Sequence, residues 1–386
     1  MCIHYLRHIK LLIPCLGMSM PRQPGEEGIT DMRTTQGTDA RHQGAHRTPI
    51  AVILALGLLG FTAACGTDGE PAETTESGDT RIVIDFSPTA NNAQLSLGIE
   101  RGIFDRHGFE IHQVPGSGAS ANSVALLLNG QVQLAVSEIT AVPAAVAAGF
   151  PVEIVTSLVT DYESPEGDAF SLVVPEGSGI RSFADLTGRT VAVNGLESFF
   201  DLTVLEAVRR AGGDPTQVRI VAIPFEDQVA ALRQGRVDAV STLEPFAGQL
   251  LTGGFRSIGN PATSALGPRS VPSILMGSQR FVDRNPEVMR RFVRAWGEVT
   301  AYANDNPAQV RQTIVRTTGA PPEAVAELPL PWYVSGIDRR SAALVARLMV
   351  DFGRIDAAPP LDTFTWSEAP DAHDLGTPPR GLQVAE

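Results

Sequence analysis

The sequence has 386 residues, with 43 aspartates and glutamates against 30 lysines and arginines and a formal net charge of −13. This length predicts two domains, and the acidic balance excludes a nucleic-acid-binding protein, because such proteins neutralise phosphates with arginine and lysine. The longest apolar run, residues 50–64, is shorter than the roughly 20 residues of a membrane-spanning helix, so a membrane-spanning mature protein is also excluded.

The same apolar run has the form of an export signal. Basic Arg41 and Arg47 precede it, and two alanines lead from it into Cys65. A cysteine after small residues resembles the lipobox of bacterial lipoproteins, in which the thiol is acylated. We predict that residues 1–64 are a leader with a lipoprotein signal peptide, that Cys65 is lipidated, and that the protein lies on the extracytoplasmic face of the cell membrane. The alternative is an ordinary or uncleaved signal, and Met32 is a suitable true start.

After residue 65 the sequence has no cysteine and no lysine. Cys2 and Cys15 fall in the leader, which leaves no cysteine for a disulfide, a thiolate nucleophile or a zinc cluster. Lys10 is the only lysine in the sequence. Residues 65–80 are mostly threonine, glutamate, aspartate and glycine, a composition that predicts a flexible tether.

The first half of the body predicts strands that alternate with helices. The predicted strands are 81–86, 109–114, 132–136 and 152–157. Polar loops follow the first three of them, at 87–92, 116–120 and 137–140. In parallel sheets ligands bind beyond the carboxyl ends of the strands, so these loops are candidate ligand loops.

The second half repeats this plan. Its predicted strands are 190–193, 218–223 and 237–240, with candidate ligand loops at 194–198 and 242–244. Two more apolar runs, 169–174 and 271–277, enter and leave this half and predict a hinge of two crossover strands. The predicted fold class is α/β with two lobes. Lobe I comprises 81–174 plus 271–356, lobe II comprises 175–270, and 357–386 is an irregular C-terminal tail.

Short motifs follow one another in a fixed order along the body. They are ERGIF at 100–104 with HGFEI at 107–111, GQVQLA at 130–135, AAGFPV at 147–152, IRSFADLTGRTVAV at 180–193, and GRVDA at 235–239 followed by Glu244-Pro245. Together they resemble the nitrate/sulfonate/taurine (SsuA/THI5-like) family of ABC-importer solute-binding proteins, although Gln133 stands where the family has aspartate. The resemblance covers roughly residues 81–355. It implies a type II periplasmic-binding fold that closes on a small molecule and delivers it to an ABC permease and ATPase.

The predicted ligand-binding residues are Thr89, Asn91, Asn92, Gly118, Ala119, Ser137, Glu138, Tyr162, Asn194, Glu197, Ser198 and Glu244. Glu138 and Glu244 each follow a predicted strand, one in each lobe, and are expected to face each other across the cleft. Two carboxylates there would favour an amine, a cation or a ring N–H group. The alternative is that each is a carboxylate in the first turn of a helix.

An anionic ligand is the other possibility. The predicted loops carry no basic side chain, but Arg269 lies near the return crossover, and residues 116–120 offer backbone amides to a sulfonate. Aromatic residues that can stack on a flat ring, or otherwise belong to the core, are Phe86, Phe199, Phe200, Phe246, Trp332 and Tyr333.

The sequence predicts a monomeric binding protein without catalytic residues, bound metal or cofactor. One branch of the resembled family makes a thiamine pyrimidine with pyridoxal phosphate and a histidine. Here the body has no lysine for a Schiff base, and His107 and His112 lie away from the predicted cleft loops. An acidic loop at 161–168 could hold calcium, although a solvated loop is expected. That enzyme branch, and a ligand-sensing lipoprotein without a permease, are the alternatives.

Overall fold

The computed structural model describes residues 72–116, 120–160, 170–326 and 328–372. The chain divides into two units, Met1–Ala64 and Cys65–Glu386, and all described residues belong to the second. The predictions for the leader, Met32 and Cys65 therefore lie outside the described residues. In the part that is described, no helix is both long and apolar enough to cross a membrane.

Eleven strands form two sheets in the described part of the chain. The strands are β1 (Thr80–Phe86), β2 (Phe109–Pro115), β3 (Leu134–Glu138), β4 (Val152–Thr160), β5 (Phe170–Pro175), β6 (Thr190–Val193), β7 (Arg219–Ala222), β8 (Ala239–Leu243), β9 (Phe255–Ser257), β10 (Ser273–Ser278) and β11 (Trp332–Tyr333).

Thirteen α-helices cover the sheets among the described residues. They are α1 (Ala93–Glu100), α2 (Ile103–Arg106), α3 (Ser120–Leu128), α4 (Ala141–Ala147), α5 (Phe199–Arg210), α6 (Phe225–Arg233), α7 (Phe246–Leu251), α8 (Pro261–Leu266), α9 (Gln279–Arg284), α10 (Pro286–Asp305), α11 (Pro307–Thr318), α12 (Pro322–Ala326) and α13 (Arg339–Asp351).

The two sheets share one topology. The first has the order β11-β4-β10-β3-β1-β2 and the second β7-β6-β8-β5-β9. In each, a central strand pairs in parallel with two neighbours, β1 with β2 and β3, and β6 with β7 and β8. The next strand along, β10 or β5, is antiparallel to both of its neighbours. The first lobe is built on the first sheet and the second lobe on the second.

The crossover segments enter the two sheets at corresponding positions. Strand β5 pairs within the second sheet and β10 within the first, and each runs antiparallel to the strand on either side of it. The chain thus passes between the lobes twice, once between β4 and β5 and once between β9 and β10. The carboxyl ends of the parallel strands in both lobes face the region between these two passages.

In each lobe, the side chain just before the third parallel strand bonds a neighbouring strand. Gln133 accepts the N–H of Val83 through Oε1 at 2.9 Å, and Asp238 accepts the N–H of Thr190 through Oδ2 at 2.8 Å. Each bond joins the residue just before β3 or β8 to a neighbouring strand, and both of these strands begin two residues later than the sequence predicts. Gln133 therefore makes the same contact as Asp238, its counterpart in the repeated motif. The shift places Glu138 inside β3 rather than after it.

One predicted helix is divided by a proline, and three short elements were not predicted. The long helix predicted from Asp283 is two helices, α9 and α10, because Pro286 lacks an N–H and starts a new helix after Asn285. The short elements β9, α7 and α8 were not predicted, since three to six residues carry too little periodicity.

The first lobe has an aromatic core. Phe104 and Phe292 stack with ring centroids 5.9 Å apart, and Trp296 lies 6.1 Å from Phe292. Trp296 is fully buried and donates its Nε1–H to Ser157 O at 3.1 Å. Helix α10 presents both aromatic residues on one face, since positions four apart lie on the same side of a helix. This core anchors the first sheet to its covering helices.

Both ends of the described chain pack on the first lobe. In the segment predicted as a tether, Ala72 donates its N–H to Asn285 Oδ1 at 3.0 Å. In the predicted tail, Phe364 is fully buried and lies beside β4, where its carbonyl accepts the N–H of Ile154 at 2.9 Å. The tail forms one 3₁₀ turn, Leu361–Thr363, and is otherwise irregular up to Ala372.

Candidate functional site

A cavity of about 120 Å³ lies between the lobes at the carboxyl ends of the parallel strands. Its volume is near that of the roughly 150 Å³ cavity that accepts benzene in a protein core. The lining residues are Ser87, Thr89, Asn91, Asn92, Ser123, Val136, Ser137, Glu138, Phe170, Asn194, Phe200, Phe225, Leu243, Pro272 and Ser273. The cavity therefore has room for a small organic molecule.

The two lobes give the cavity a polar wall and an apolar wall. The first lobe contributes hydroxyl, amide and carboxylate groups, while the second contributes mainly phenylalanine and leucine. The rings of Phe170 and Phe200 lie 5.5 Å apart between centroids, and those of Phe200 and Phe225 lie 5.1 Å apart. Such tilted and edge-on packing gives a continuous aromatic surface that can contact a flat ring.

The loop after β1 forms part of the polar wall. It turns through a 3₁₀ segment, Ala90–Asn92, before α1 begins. Asn92 donates its amide to Ser87 O at 2.7 Å, which holds the loop closed. The sequence predicts that Asn91 caps the helix, and this is wrong, because Asn92 occupies the cap position and makes no side-chain cap bond. Thr89, Asn91 and Asn92 all line the cavity.

Glu138 joins the two lobes. Its Oε1 accepts Asn194 Nδ2–H at 2.7 Å and its Oε2 accepts the Phe199 N–H, also at 2.7 Å. Phe199 is the first residue of α5, so the carboxylate interacts with the positive end of that helix. Burial raises the pKa of Glu138 above its ordinary value, while the two hydrogen bonds oppose the rise and the nearby Asp201 carboxylate adds to it.

Glu244 does not line the cavity, contrary to the expectation that it faces Glu138. Leu243, the last residue of β8, lines the cavity, whereas the Glu244 carboxylate is turned toward the first turn of α7 in the second lobe. Glu244 is only 4% exposed, and its Oε2 accepts the Gly248 N–H at 3.0 Å. Burial raises its pKa to about 7, against the opposing effect of the Gly248 bond.

Glu197 and Ser198 build the start of α5 and do not line the cavity. Ser198 Oγ accepts the Asp201 N–H at 3.1 Å and so caps the helix. Asp201 Oδ2 accepts the Glu197 N–H and an Arg354 Nη2–H, each at 2.8 Å. These two predicted residues therefore position the helix whose first N–H bonds Glu138. Asn194 and Ser137, by contrast, line the cavity as predicted residues of the cleft.

Three predicted site residues, Gly118, Ala119 and Tyr162, lie outside the described residues, as does the acidic loop at 161–168. Gly116 is the last described residue before residues 117–119. It is packed so tightly that a Cβ atom would come within 2.6 Å of Asp85 Oδ1. Asp85 is 2% exposed and accepts the Ser123 hydroxyl through Oδ2. The acidic residue behind this wall was not predicted, because Asp85 lies inside the strand β1.

Most of the candidate stacking aromatics lie in the core. Of the six, only Phe200 lines the cavity, and Phe246 stacks on Phe225 at 6.3 Å without lining it. Tyr333 is buried and donates its hydroxyl to Ala90 O at 2.7 Å. Sequence reasoning missed the lining residues that lie inside strands or beside them, namely Phe170, Leu243, Val136, Pro272 and Ser273, and two that lie in helices, Ser123 and Phe225. Strand alternation identifies the first two once the sheet register is known.

No arginine, lysine or histidine belongs to the cavity lining formed by the described residues. The guanidinium of Arg269, the basic candidate, lies 5.4 Å above the ring of the fully buried Trp332. No group of three histidine, cysteine, aspartate or glutamate side chains in the described ranges could hold a metal ion. Glu138 is thus the ionisable group that this lining presents.

A larger crevice of about 260 Å³ lies elsewhere, between α5, α8 and α13. Its buried Glu206 accepts Arg209 Nε–H at 2.6 Å and Arg210 Nε–H at 2.8 Å. These ion pairs occupy the crevice, which lies away from the strand ends. The smaller interlobe cavity therefore remains the candidate site, because it lies at the carboxyl ends of the parallel strands of both lobes.

A family model described as NMT1/THI5-like matches residues 89–310, more than half of the chain. Among curated proteins, a putative aliphatic sulfonates-binding protein of Escherichia coli is 27% identical over 165 residues, which are 42% of this chain and 50% of that protein. The chain thus spans about half the length of this relative. The THI13 protein of Saccharomyces cerevisiae, a 4-amino-5-hydroxymethyl-2-methylpyrimidine phosphate synthase, is 24% identical over 240 residues, 59% of this chain and 68% of that protein.

The fold has solved counterparts. The periplasmic aliphatic sulphonate-binding protein SsuA of Escherichia coli superposes with a TM-score of 0.62 at 21% identity, over 74% of this chain and 97% of that one. The predicted fold class, a type II periplasmic-binding fold of two α/β lobes, is confirmed.

Proposed function

The chain belongs to the NMT1/THI5-like family, and on that premise we propose that it is a solute-binding protein that captures a small organic molecule and delivers it to an ABC permease. The observation that supports this most is the cavity between two lobes of equal topology, lined from both sides. A molecule in this position contacts both lobes, so it stabilises the closed arrangement over an open one by contacts that only the closed one offers.

The proposed ligand carries an amine or a ring N–H on a small flat skeleton. Glu138 and several hydroxyl and amide groups form one wall, and the phenylalanines Phe170, Phe200 and Phe225 form the other. A sulfonate would meet no cation in the described lining, and a buried anion beside a carboxylate is disfavoured. A sulfonate remains the second candidate because of the relative named for aliphatic sulfonates.

We propose a non-catalytic role in spite of the similarity to a pyrimidine phosphate synthase. A Schiff base with pyridoxal phosphate needs a lysine, and the chain has none after Lys10. His107 is bound at the surface to Glu298 at 2.8 Å, and His112 is paired with Glu110. Neither histidine lines the cavity.

The location and partners are part of the proposal. An export signal that ends at Cys65 supports a lipid-anchored protein on the extracytoplasmic face of the membrane, where it would act as a monomer beside its permease and ATPase. Mass spectrometry of the N-terminal peptide tests the anchor, because acylation of Cys65 adds a defined mass. An unmodified peptide that begins elsewhere would contradict it.

A thermal-shift screen of the purified protein tests the function. The compounds are amino-pyrimidines, simple amines, alkanesulfonates and nitrate. A ligand at about 100 times its dissociation constant adds roughly 2.7 kcal/mol to the free energy of unfolding and raises the melting temperature clearly. We expect the amino-pyrimidines or amines to do so. A shift with sulfonates alone would overturn the proposed ligand class, and no shift with any solute would overturn the binding role.

A further inference from the structure

Both oxygens of Glu138 are engaged by the second lobe. Asn194 Nδ2 and the Phe199 backbone nitrogen each donate to one of them at 2.7 Å. Phe199 belongs to a helix and cannot reorient, whereas the Asn194 side chain can turn by half a rotation and exchange its oxygen and nitrogen. The Glu138 carboxylate thus decides which end of this amide faces it.

Both oxygens of Glu138 act as acceptors in this arrangement, so Asn194 presents its NH₂ group to Glu138. The carbonyl oxygen of the same amide then points the other way. In the described part of the chain, Asn194 Oδ1 is buried and has no hydrogen-bond partner, although Asn194 lines the cavity. A buried acceptor without a partner calls for an explanation, and a donor on a bound ligand is one, since Asn194 lines the cavity.

We propose that Glu138 is a positioning residue that orients the Asn194 amide, so that the cavity offers an oxygen acceptor and selects ligands that donate an N–H or O–H group. The inference rests on the proposed function and assigns its ligand class. It also gives Glu138 a role different from direct contact with a cation, because both of its oxygens already have donors.

The rest of the lining is compatible with this selection. Phe200 and Phe225 lie on the same side of the cavity as Asn194, and their rings provide an apolar surface for the body of the ligand. A site built to bond a donor rejects an analogue that lacks it, because the buried acceptor is then left unpaired. A sulfonate, which carries only acceptors at neutral pH, would be rejected for the same reason.

Replacing Glu138 with glutamine changes the hydrogen-bonding groups of the side chain and keeps its size. The amide oxygen of the introduced side chain can still accept the Phe199 N–H, while its NH₂ group can donate to Asn194 Oδ1. The Asn194 amide would then turn and present its own NH₂ group to the cavity. Glu138→Gln should therefore weaken the selection for donors without removing the cavity.

The test uses two probes on the same ring, 4-aminopyrimidine with an exocyclic N–H donor and 4-methoxypyrimidine without one. Calorimetry on the full chain should give at least about a tenfold preference of the native protein for 4-aminopyrimidine, falling to less than about threefold in Glu138→Gln. Glu287→Gln is the matched control, because Glu287 is 83% exposed on α10 and pairs with Arg290. An unchanged preference in Glu138→Gln, or a native preference for the methoxy compound, would overturn the proposal.

A second readout needs no ligand. Nuclear Overhauser effects from the Asn194 side-chain NH₂ protons should reach the Glu138 methylene protons in the native protein and be lost in Glu138→Gln. If they are absent from the native protein, the orientation is wrong, whatever binds. If they are present and no solute of the thermal screen binds, the proposed function fails while the orientation of Asn194 stands.

Discussion

The ends of β3 and β8 occupy corresponding places in the two lobes but carry opposite chemistry. In the first lobe Glu138 pairs with Ser273 across β10, and in the second Leu243 pairs with Phe170 across β5. All four side chains line the cavity. One backbone plan thus supplies a polar pair on one wall and an apolar pair on the other. The repeated fold fixes where the site lies, and the residues at the strand ends decide what it can bind.

The spacing from the repeated glycine explains the difference between the two glutamates. Glu138 comes eight residues after Gly130, and Leu243 comes eight residues after Gly235, whereas Glu244 comes nine after it. One additional residue therefore places the second carboxylate beyond the end of β8, where it bonds the first turn of α7 instead of lining the cleft. The count from a structural landmark is therefore more informative than the presence of a glutamate near a strand end.

The strongest way to break the contrast is to place a charge on the apolar wall. Leu243→Glu puts a second carboxylate opposite Glu138 at a position that is 5% exposed. An uncompensated buried charge costs about 3 to 5 kcal/mol, and we expect that loss in the free energy of unfolding measured with urea at neutral pH. Leu243→Met is the control and should cost less than about 1.5 kcal/mol. Equal stability of the two variants would show that the wall is open to water.

A pH series sharpens the comparison for Glu244. Burial raises its pKa from 4.5 to about 7, so the folded state favours the protonated form. Its stabilising contribution is full below pH 4.5 and is lost as the pH rises through about 7. Near pH 8, Glu244→Gln should raise the free energy of unfolding by up to about 3 kcal/mol, with no gain near pH 4.

The control for this series is the exposed Glu287→Gln, whose stability should follow the native protein at every pH. A gain for Glu244→Gln that is equal at both ends of the series would mean that ionisation of Glu244 is not its cause.

Ligand affinity distinguishes the aromatic residue that lines the cavity from the one that packs behind it. Phe225 lines the cavity, and Phe246 stacks on it from behind. Phe225→Ala should weaken binding of an aromatic ligand at least about fivefold, since a ring pair contributes roughly 1 kcal/mol beyond its buried area. Phe246→Ala should weaken it less. Calorimetric titration measures both, and a larger loss in Phe246→Ala would place the ligand outside the cavity.

The smallest effect tests the likeness of the lobes rather than their difference. Gln133 and Asp238 each precede a strand directly and accept a backbone N–H of the neighbouring strand, from Val83 and Thr190. Gln133→Ala and Asp238→Ala should each lower the free energy of unfolding by about 1 kcal/mol, the usual contribution of such a bond. Urea titration of the two variants should give similar losses. A loss confined to one variant would show that the two contacts are not equivalent.

Much of the fold followed from the sequence because it is local. Each predicted strand of the two βα repeats overlaps a strand of the structure, and the predicted second strand of lobe II, 218–223, contains β7. The loops after β1 and β6 supply Thr89, Asn91, Asn92 and Asn194 to the cavity, and the end of β3 supplies Ser137 and Glu138, as their positions at strand ends predict. These results depend on strand alternation and on where parallel strands end.

The remainder depends on register between strands that are distant in the chain. Phe170 and Ser273 line the cavity because β5 and β10 are antiparallel and begin opposite Leu243 and Glu138. No local pattern fixes that pairing. The bond from Asn194 to Glu138 spans 56 residues and two lobes, so it appears only when both lobes are assembled.

The division of the chain between the lobes also sets an order of assembly. Every strand of the second lobe lies in one continuous stretch, from Phe170 to Ser257, whereas the first lobe needs β10, β11 and the segment around Phe364. During synthesis, which starts at the amino end, the second lobe is the first to have all its strands. It can fold then, because domains fold as units once they are complete. The binding cavity then forms last, when the final residues complete the first lobe beside the second lobe, which has already folded.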